Sequence, residues 1–138
     1  MAILLVDDEA RLRQTVARSL SARGHRVVEA ATSREAVATA TGAEFDLLLL
    51  DVNLPDGTCW DVLRELAAAG RSLPTVIVSA VPPSATRVRE FRPLGVLHKP
   101  FPMEALLRLV RLATGPTTEI GDGARRASGA TEEDATRD

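Results

Sequence analysis

Short apolar runs and amphipathic stretches alternate along this chain five times, with glycine or proline at many of the junctions. Residues 2–7, opening Ala2-Ile3-Leu4-Leu5-Val6, read as a buried strand. Residues 10–23 follow with Leu12, Val16, Ala17 and Leu20 at helical spacing and Gly24 as a stop. Residues 26–30 form a short strand, and Ser33 is the expected N-cap of a second helix that turns Ala36, Val37 and Ala40 inward and closes at Gly42. Residues 46–51 are the most apolar strand, and Pro55-Asp56-Gly57 marks a loop. Residues 58–69 read as a helix with Val62, Leu63 and Leu66 on one face, ended by Gly70. Pro74 precedes a strand over 75–79; a short helix around 84–92 follows the Pro82-Pro83 break. Residues 95–98 are the fifth strand, and Pro102 suits the first turn of a last helix, 102–113, with Leu106, Leu107 and Val110 inward. Such alternation predicts an α/β domain. Parallel strands need crossovers, and the crossover helices cover both faces of the sheet.

Composition narrows the reading. The 138 residues suit one domain, and with 45% apolar but only 3% aromatic residues the core must be aliphatic. A formal net charge of -2 offers no electrostatic case for binding nucleic acid or an anionic membrane. Arg125-Arg126 is too small a basic patch to change that. The single cysteine, Cys59, excludes an intrachain disulfide and reads as a small hydrophobe at a helix start. His25 and His98 read as surface residues, Trp60 as packing, and Phe45, Phe91 and Phe101 as core or rim. No apolar run reaches the length of a membrane span, and no basic region or cleavage site opens the chain. A cytoplasmic protein is the expectation. Residues 114–138 hold one large aliphatic side chain, Ile120, and are expected to be a disordered polar tail without an output domain.

The chemistry-bearing residues stand at strand ends. Asp7-Asp8, Asp51, Ser79 and Lys99 each follow the carboxyl end of an apolar run. Parallel strands bring those ends to one edge, where open α/β sheets bind ligands. Each residue alone has an ordinary explanation: a solvated helix start favoured by the helix dipole, a loop aspartate, a hydroxyl at a strand end. Together they place three carboxylates, a hydroxyl and an ammonium on one edge, a set able to hold a divalent cation and transfer a phosphoryl group. Lys99 is the only lysine in the chain. Its ammonium is a compact point charge, unlike the guanidinium fork used elsewhere.

With Asp7-Asp8 after the first strand, Asp51 after the third, Ser79-Ala80 after the fourth and Lys99-Pro100-Phe101 after the fifth, the chain resembles the receiver domain of two-component response regulators. The stretch from Asp46 to Gly57 resembles that family's phosphorylation loop, and the likeness runs over about residues 2–113. It implies a flavodoxin-like (βα)5 fold with strand order 2-1-3-4-5, three helices on one face and two on the other. It implies that Asp51 accepts a phosphoryl group from a histidine kinase or a histidine phosphotransfer protein. Asp7, Asp8 and Asp51, with the backbone carbonyl of Asn53, would hold Mg²⁺. Lys99 would pair with Asp51 at rest and with phosphoryl oxygens later. Ser79 would swing to the phosphoryl group and draw the next loop with it. The Lys99–Pro100 bond is expected to be cis. The resemblance implies a bacterial signalling protein that self-phosphorylates and self-dephosphorylates with Mg²⁺, not an enzyme acting on other substrates. A stand-alone receiver would then contact an unidentified downstream protein.

Some positions depart from the family. Val96 stands where the fifth strand usually carries an aromatic switch residue, Arg92-Pro93-Leu94-Gly95 replaces the usual glycine-alanine turn, and prolines crowd residues 82–93. A phosphorylation-independent interaction module of the same fold is therefore the alternative. An aspartyl phosphohydrolase would need a second aspartate where Asn53 stands. A flavin site would need a hydroxyl-rich loop where Asp7-Asp8-Glu9 lies.

Overall fold

Residues 1–114 are described by the computed structural model. In chain order the elements are β1 (Ala2–Val6), α1 (Ala10–Ser21), β2 (Arg26–Ala30), α2 (Ser33–Gly42), β3 (Leu47–Asp51), β4 (Asn53–Leu54), β5 (Gly57–Thr58), α3 (Cys59–Ala68), β6 (Thr75–Ser79), α4 (Ala85–Phe91), β7 (Gly95–His98) and α5 (Met103–Thr114). Five parallel strands form one sheet in the order β2-β1-β3-β6-β7. With the small β4-β5 ribbon set aside, this is the expected 2-1-3-4-5 arrangement of a flavodoxin-like fold.

The strands have alternating faces, and the core divides accordingly. Ile3, Leu5, Leu47, Leu49, Val76, Val78 and Leu97 pack against Val16, Ala17 and Leu20 of α1 and Leu106, Leu107 and Val110 of α5. Leu4, Val6, Leu48, Leu50 and Ile77 face α2 and α3, with Phe91 of α4 packed on the same cluster. Two helices therefore cover one face and three the other. The middle strand β3 is buried at every position, as its uninterrupted leucines require. Each fully buried leucine or isoleucine contributes roughly 1.5–3 kcal/mol.

Several boundaries differ from the sequence reading. Thr32, not Ser33, is the N-cap of α2: its extended backbone (φ -134°, ψ 162°) lets its hydroxyl accept from Glu35 N at 3.1 Å. Ser33 is the first helical residue and is buried. Either hydroxyl in a Thr-Ser pair can cap, and the approach of the chain from β2 decides which does. The expected loop after β3 contains the antiparallel β4-β5 ribbon. It leads into a capping box in which Thr58 and Asp61 satisfy each other's backbone N–H groups. Pro102 sits just ahead of α5 rather than inside it, and α5 extends one residue past the expected end, to Thr114. The tail expected beyond it lies outside the described residues. Gly24 (φ 90°) and Gly70 (φ 77°) close α1 and α3 in the left-handed region open to glycine. The Lys99–Pro100 peptide is cis. Among the described residues no helix is long and apolar enough to cross a membrane.

Candidate functional site

Because β1, β3, β6 and β7 run parallel, their carboxyl ends share one edge. Asp7 follows β1 there. Its N–H donates to Ala30 O at 3.1 Å and its Oδ1 accepts from Glu9 N at 2.8 Å. Arg13, on α1, donates through Nη1 to the Asp7 carbonyl at 2.8 Å and through Nε to Glu29 Oε1 at 2.9 Å. The loop after β1 is thus pinned from three sides, and Asp7 is buried while Asp8 remains exposed.

Asp51 is the last residue of β3 and is buried. Its Oδ2 accepts from Lys99 Nζ at 3.2 Å. Burial pushes its carboxyl above the ordinary value, and the negative charge of Asp7 adds to the rise; Lys99 opposes both without cancelling them. The reason is that the ammonium is divided. Lys99 Nζ lies 2.8 Å from Glu9 Oε1, 3.2 Å from Asp51 Oδ2 and 3.3 Å from Asp7 Oδ2. Burial alone would lower the Lys99 pKa, but its hydrogen bond to Glu9 and the charges of Asp7 and Asp51 outweigh that and hold it above the ordinary lysine value. The backbone joins the same corner, since Lys99 N donates to Ser79 O at 2.8 Å.

Asp8, Glu9, Leu12, Asp51, Asn53, Ala80, Lys99, Pro100 and Phe101 line an open cleft of about 630 Å³ at this edge. Carboxylate oxygens of Asp7, Asp8 and Asp51 lie within 4.8 Å of one another. Mutually repelling oxygens at that spacing suit a hard divalent cation, which prefers oxygen donors and retains water. A cation there would offset the repulsion that raises Asp51.

Of the residues singled out from sequence, Asp7, Asp8, Asp51 and Lys99 converge, and exposed Asn53 lines the cleft. Ser79 reaches the same edge, but its buried hydroxyl is turned to its own loop. It donates to the Val81 carbonyl and accepts from Val81 N at 3.1 Å. Sequence reasoning missed three participants. Glu9 is the carboxylate nearest Lys99, although it reads only as part of an acidic run. Arg13 braces the loop, and nothing in its helical spacing signals that. Asp56 helps cap α2 by accepting from Ser33 N at 2.7 Å and Arg34 N at 3.0 Å, contacts between residues 23 and 22 positions apart in the sequence. Cys59 is buried beside the site, and desolvation pushes its thiol up to about 12, which keeps it unreactive. His25 is half-buried rather than free at the surface, with Nδ1 3.1 Å from the N-terminal amine.

Comparison with known proteins shows the family and the fold. The family model described as the response regulator receiver domain matches residues 3–111. Response regulator MprA of Mycolicibacterium vanbaalenii is 33% identical over 138 residues, covering 99% of this chain and 59% of MprA. Transcriptional regulatory protein CusR of Escherichia coli K12 is 32% identical over 114 residues, covering 80% of this chain and 50% of CusR. The chain spans about half the length of the curated relatives it matches. The non-phosphorylated HemR receiver domain from Leptospira biflexa superposes with a TM-score of 0.76 at 29% identity, covering 87% of this chain and 98% of that one.

Proposed function

This chain belongs to the response regulator receiver domain family, and from that premise we propose that Asp51 accepts a phosphoryl group from a phosphohistidine on a histidine kinase or histidine phosphotransfer protein. One observation carries the assignment to this residue. Asp51 is the buried carboxylate at the end of the central strand that also faces the cleft and shares the Lys99 ammonium. In the transfer, an Asp51 oxygen bonds to phosphorus as the phosphorus–nitrogen bond breaks. The histidine nitrogen keeps the electron pair and takes up a proton. Such chemistry needs positioning and charge neutralisation more than covalent help from the protein.

Asp7, Asp8 and Asp51 would hold Mg²⁺, with the Asn53 backbone carbonyl as a further donor; the ion would neutralise and orient phosphoryl oxygens. Lys99 supplies the remaining positive charge. Phosphorylation adds about -1.5 to -2 charge and strong acceptors at one spot. The Ser79 hydroxyl would exchange Val81 for a phosphoryl oxygen, releasing the segment that leads into α4. A downstream protein would then read residues 80–93.

Acetyl phosphate with Mg²⁺ should add one phosphoryl mass to the protein, and Asp51→Asn should abolish it. Hydrogen exchange with and without beryllofluoride should change most in residues 80–93. Failure of both the adduct and the beryllofluoride complex would replace this reading with that of a phosphorylation-independent interaction module. A change confined to residues 51–57 would retain the acceptor and discard the proposed output.

A further inference from the structure

The Lys99 ammonium has three N–H donors, and carboxylate oxygens of three residues lie within 3.3 Å of it. Two of the three, Glu9 at 2.8 Å and Asp51 at 3.2 Å, accept hydrogen bonds from it, so a phosphoryl oxygen that reaches Lys99 competes with carboxylates already in place. Asp7 and Asp51 are buried, so without the ammonium or a cation in its place either would be left as an uncompensated buried charge. Glu9 is different. Its side chain is 61% exposed, so water solvates it at once when it lets go. It also makes the shortest of the three contacts, 2.8 Å, and it lines the cleft into which a donor must come. It lies outside the carboxylate trio able to hold a cation.

We infer that Glu9 is a positioning residue that acts through Lys99: it keeps the ammonium engaged in the resting protein and is the carboxylate displaced when phosphoryl oxygens arrive. Glu9 thereby slows acceptance from small anionic donors and tunes the resting site. The inference rests on the acceptor reading of Asp51.

Lys99 is the only lysine in the chain, so a lysine-labelled sample carries one set of side-chain signals. The test compares wild type, Glu9→Gln and Glu9→Asp, by the acetyl phosphate reaction with Mg²⁺ and by NMR of the Lys99 side chain. Glu9→Gln should accelerate adduct formation about two- to fivefold, the range set by an exposed ion pair. Glu9→Asp, which keeps the charge, should fall closer to wild type. The Lys99 ε-CH₂ signals of Glu9→Gln and wild type should differ at rest and converge once beryllofluoride is bound. An unchanged or slower rate in Glu9→Gln overturns the inference. So do identical Lys99 signals at rest, or a difference that persists with beryllofluoride. Were wild type itself to take neither adduct nor beryllofluoride, the acceptor reading would fall first and the role of Glu9 with it.

Discussion

Helices α3 and α4 flank the same sheet face, yet they are held in different ways. α3 buries Cys59, Trp60, Val62 and Leu66 and starts at a reciprocal capping box. α4 has seven residues and buries none of them. Its ties are few. Ser84 caps it, Phe91 stacks on Trp60 with ring centroids 5.2 Å apart, and the Arg64 guanidinium sits 5.3 Å over the Phe91 ring. Beyond it, Leu94 N donates to Thr75 O at 2.7 Å. Arg92 ends it in the left-handed region (φ 50°, ψ 58°), which the adjacent Pro93 does nothing to extend into helix. The contrast teaches where movement is inexpensive. Segments with few buried apolar contacts open at lower free energy than the core does. The α3 side is packed into the core, while α4 is held by its Ser84 cap and by the contacts of Phe91 with Trp60 and Arg64.

Substitutions sharpen or break that contrast. Leu66→Ala, on α3, should cost about 2–5 kcal/mol in urea denaturation. Val88→Ala, on half-buried α4, should cost under about 1 kcal/mol. Equal losses would mean that α4 is as integral as α3.

A loss between those two is expected from Phe91→Ala. It removes the stack on Trp60, a pair worth about 0.5–1.5 kcal/mol beyond area. Trp60 is the only tryptophan, so its fluorescence should shift to the red as the ring gains water. Protection of amides in residues 85–91 should fall while that of α3 stays. Unchanged fluorescence would show that α4 is held by something other than this stack.

The third effect depends on pH and belongs to the packed side alone. The Asp51 carboxyl is raised in the folded protein, chiefly by burial. The unfolded chain therefore loses this proton at lower pH than the folded one, so the site's contribution to stability declines as pH rises from the ordinary carboxylate value through the raised one. Asp51→Asn should be more stable than wild type at neutral pH, and the gap should close in acid. Mg²⁺ at neutral pH should raise the melting temperature of wild type more than that of Asp51→Asn. An Asp51→Asn protein less stable than wild type at pH 7 without metal would show that Lys99 overcomes the burial and repulsion after all.

Much of this was legible in one dimension. The runs at 3–6, 47–50 and 76–78 are strands because nothing but aliphatic side chains fills them, and the helices between them keep a 3.6-residue period. The order of strands came from the family resemblance. Boundaries slipped by a residue or two where two neighbours were equally fit for a role, as with Thr32 and Ser33. The short α4 was anticipated from Pro82, Pro83 and Pro93, since each proline removes a donor and blocks helix continuation.

The sequence by itself determined that four of the singled-out residues stand at the carboxyl edge of the sheet. A polar residue at the carboxyl end of a parallel strand has only that edge to occupy, so Asp7, Asp51, Ser79 and Lys99 were bound to meet there. Tertiary structure alone decided how they share one another. The ammonium lies nearest Glu9, the Ser79 hydroxyl is turned to Val81, Arg13 braces Asp7, and Phe91 joins Trp60. Those outcomes depend on distances of a few ångströms between residues up to 90 positions apart. Local pattern carries periodicity and propensity, but competition for one ammonium is settled by burial and reach, which exist only once the sheet has brought the strand ends together.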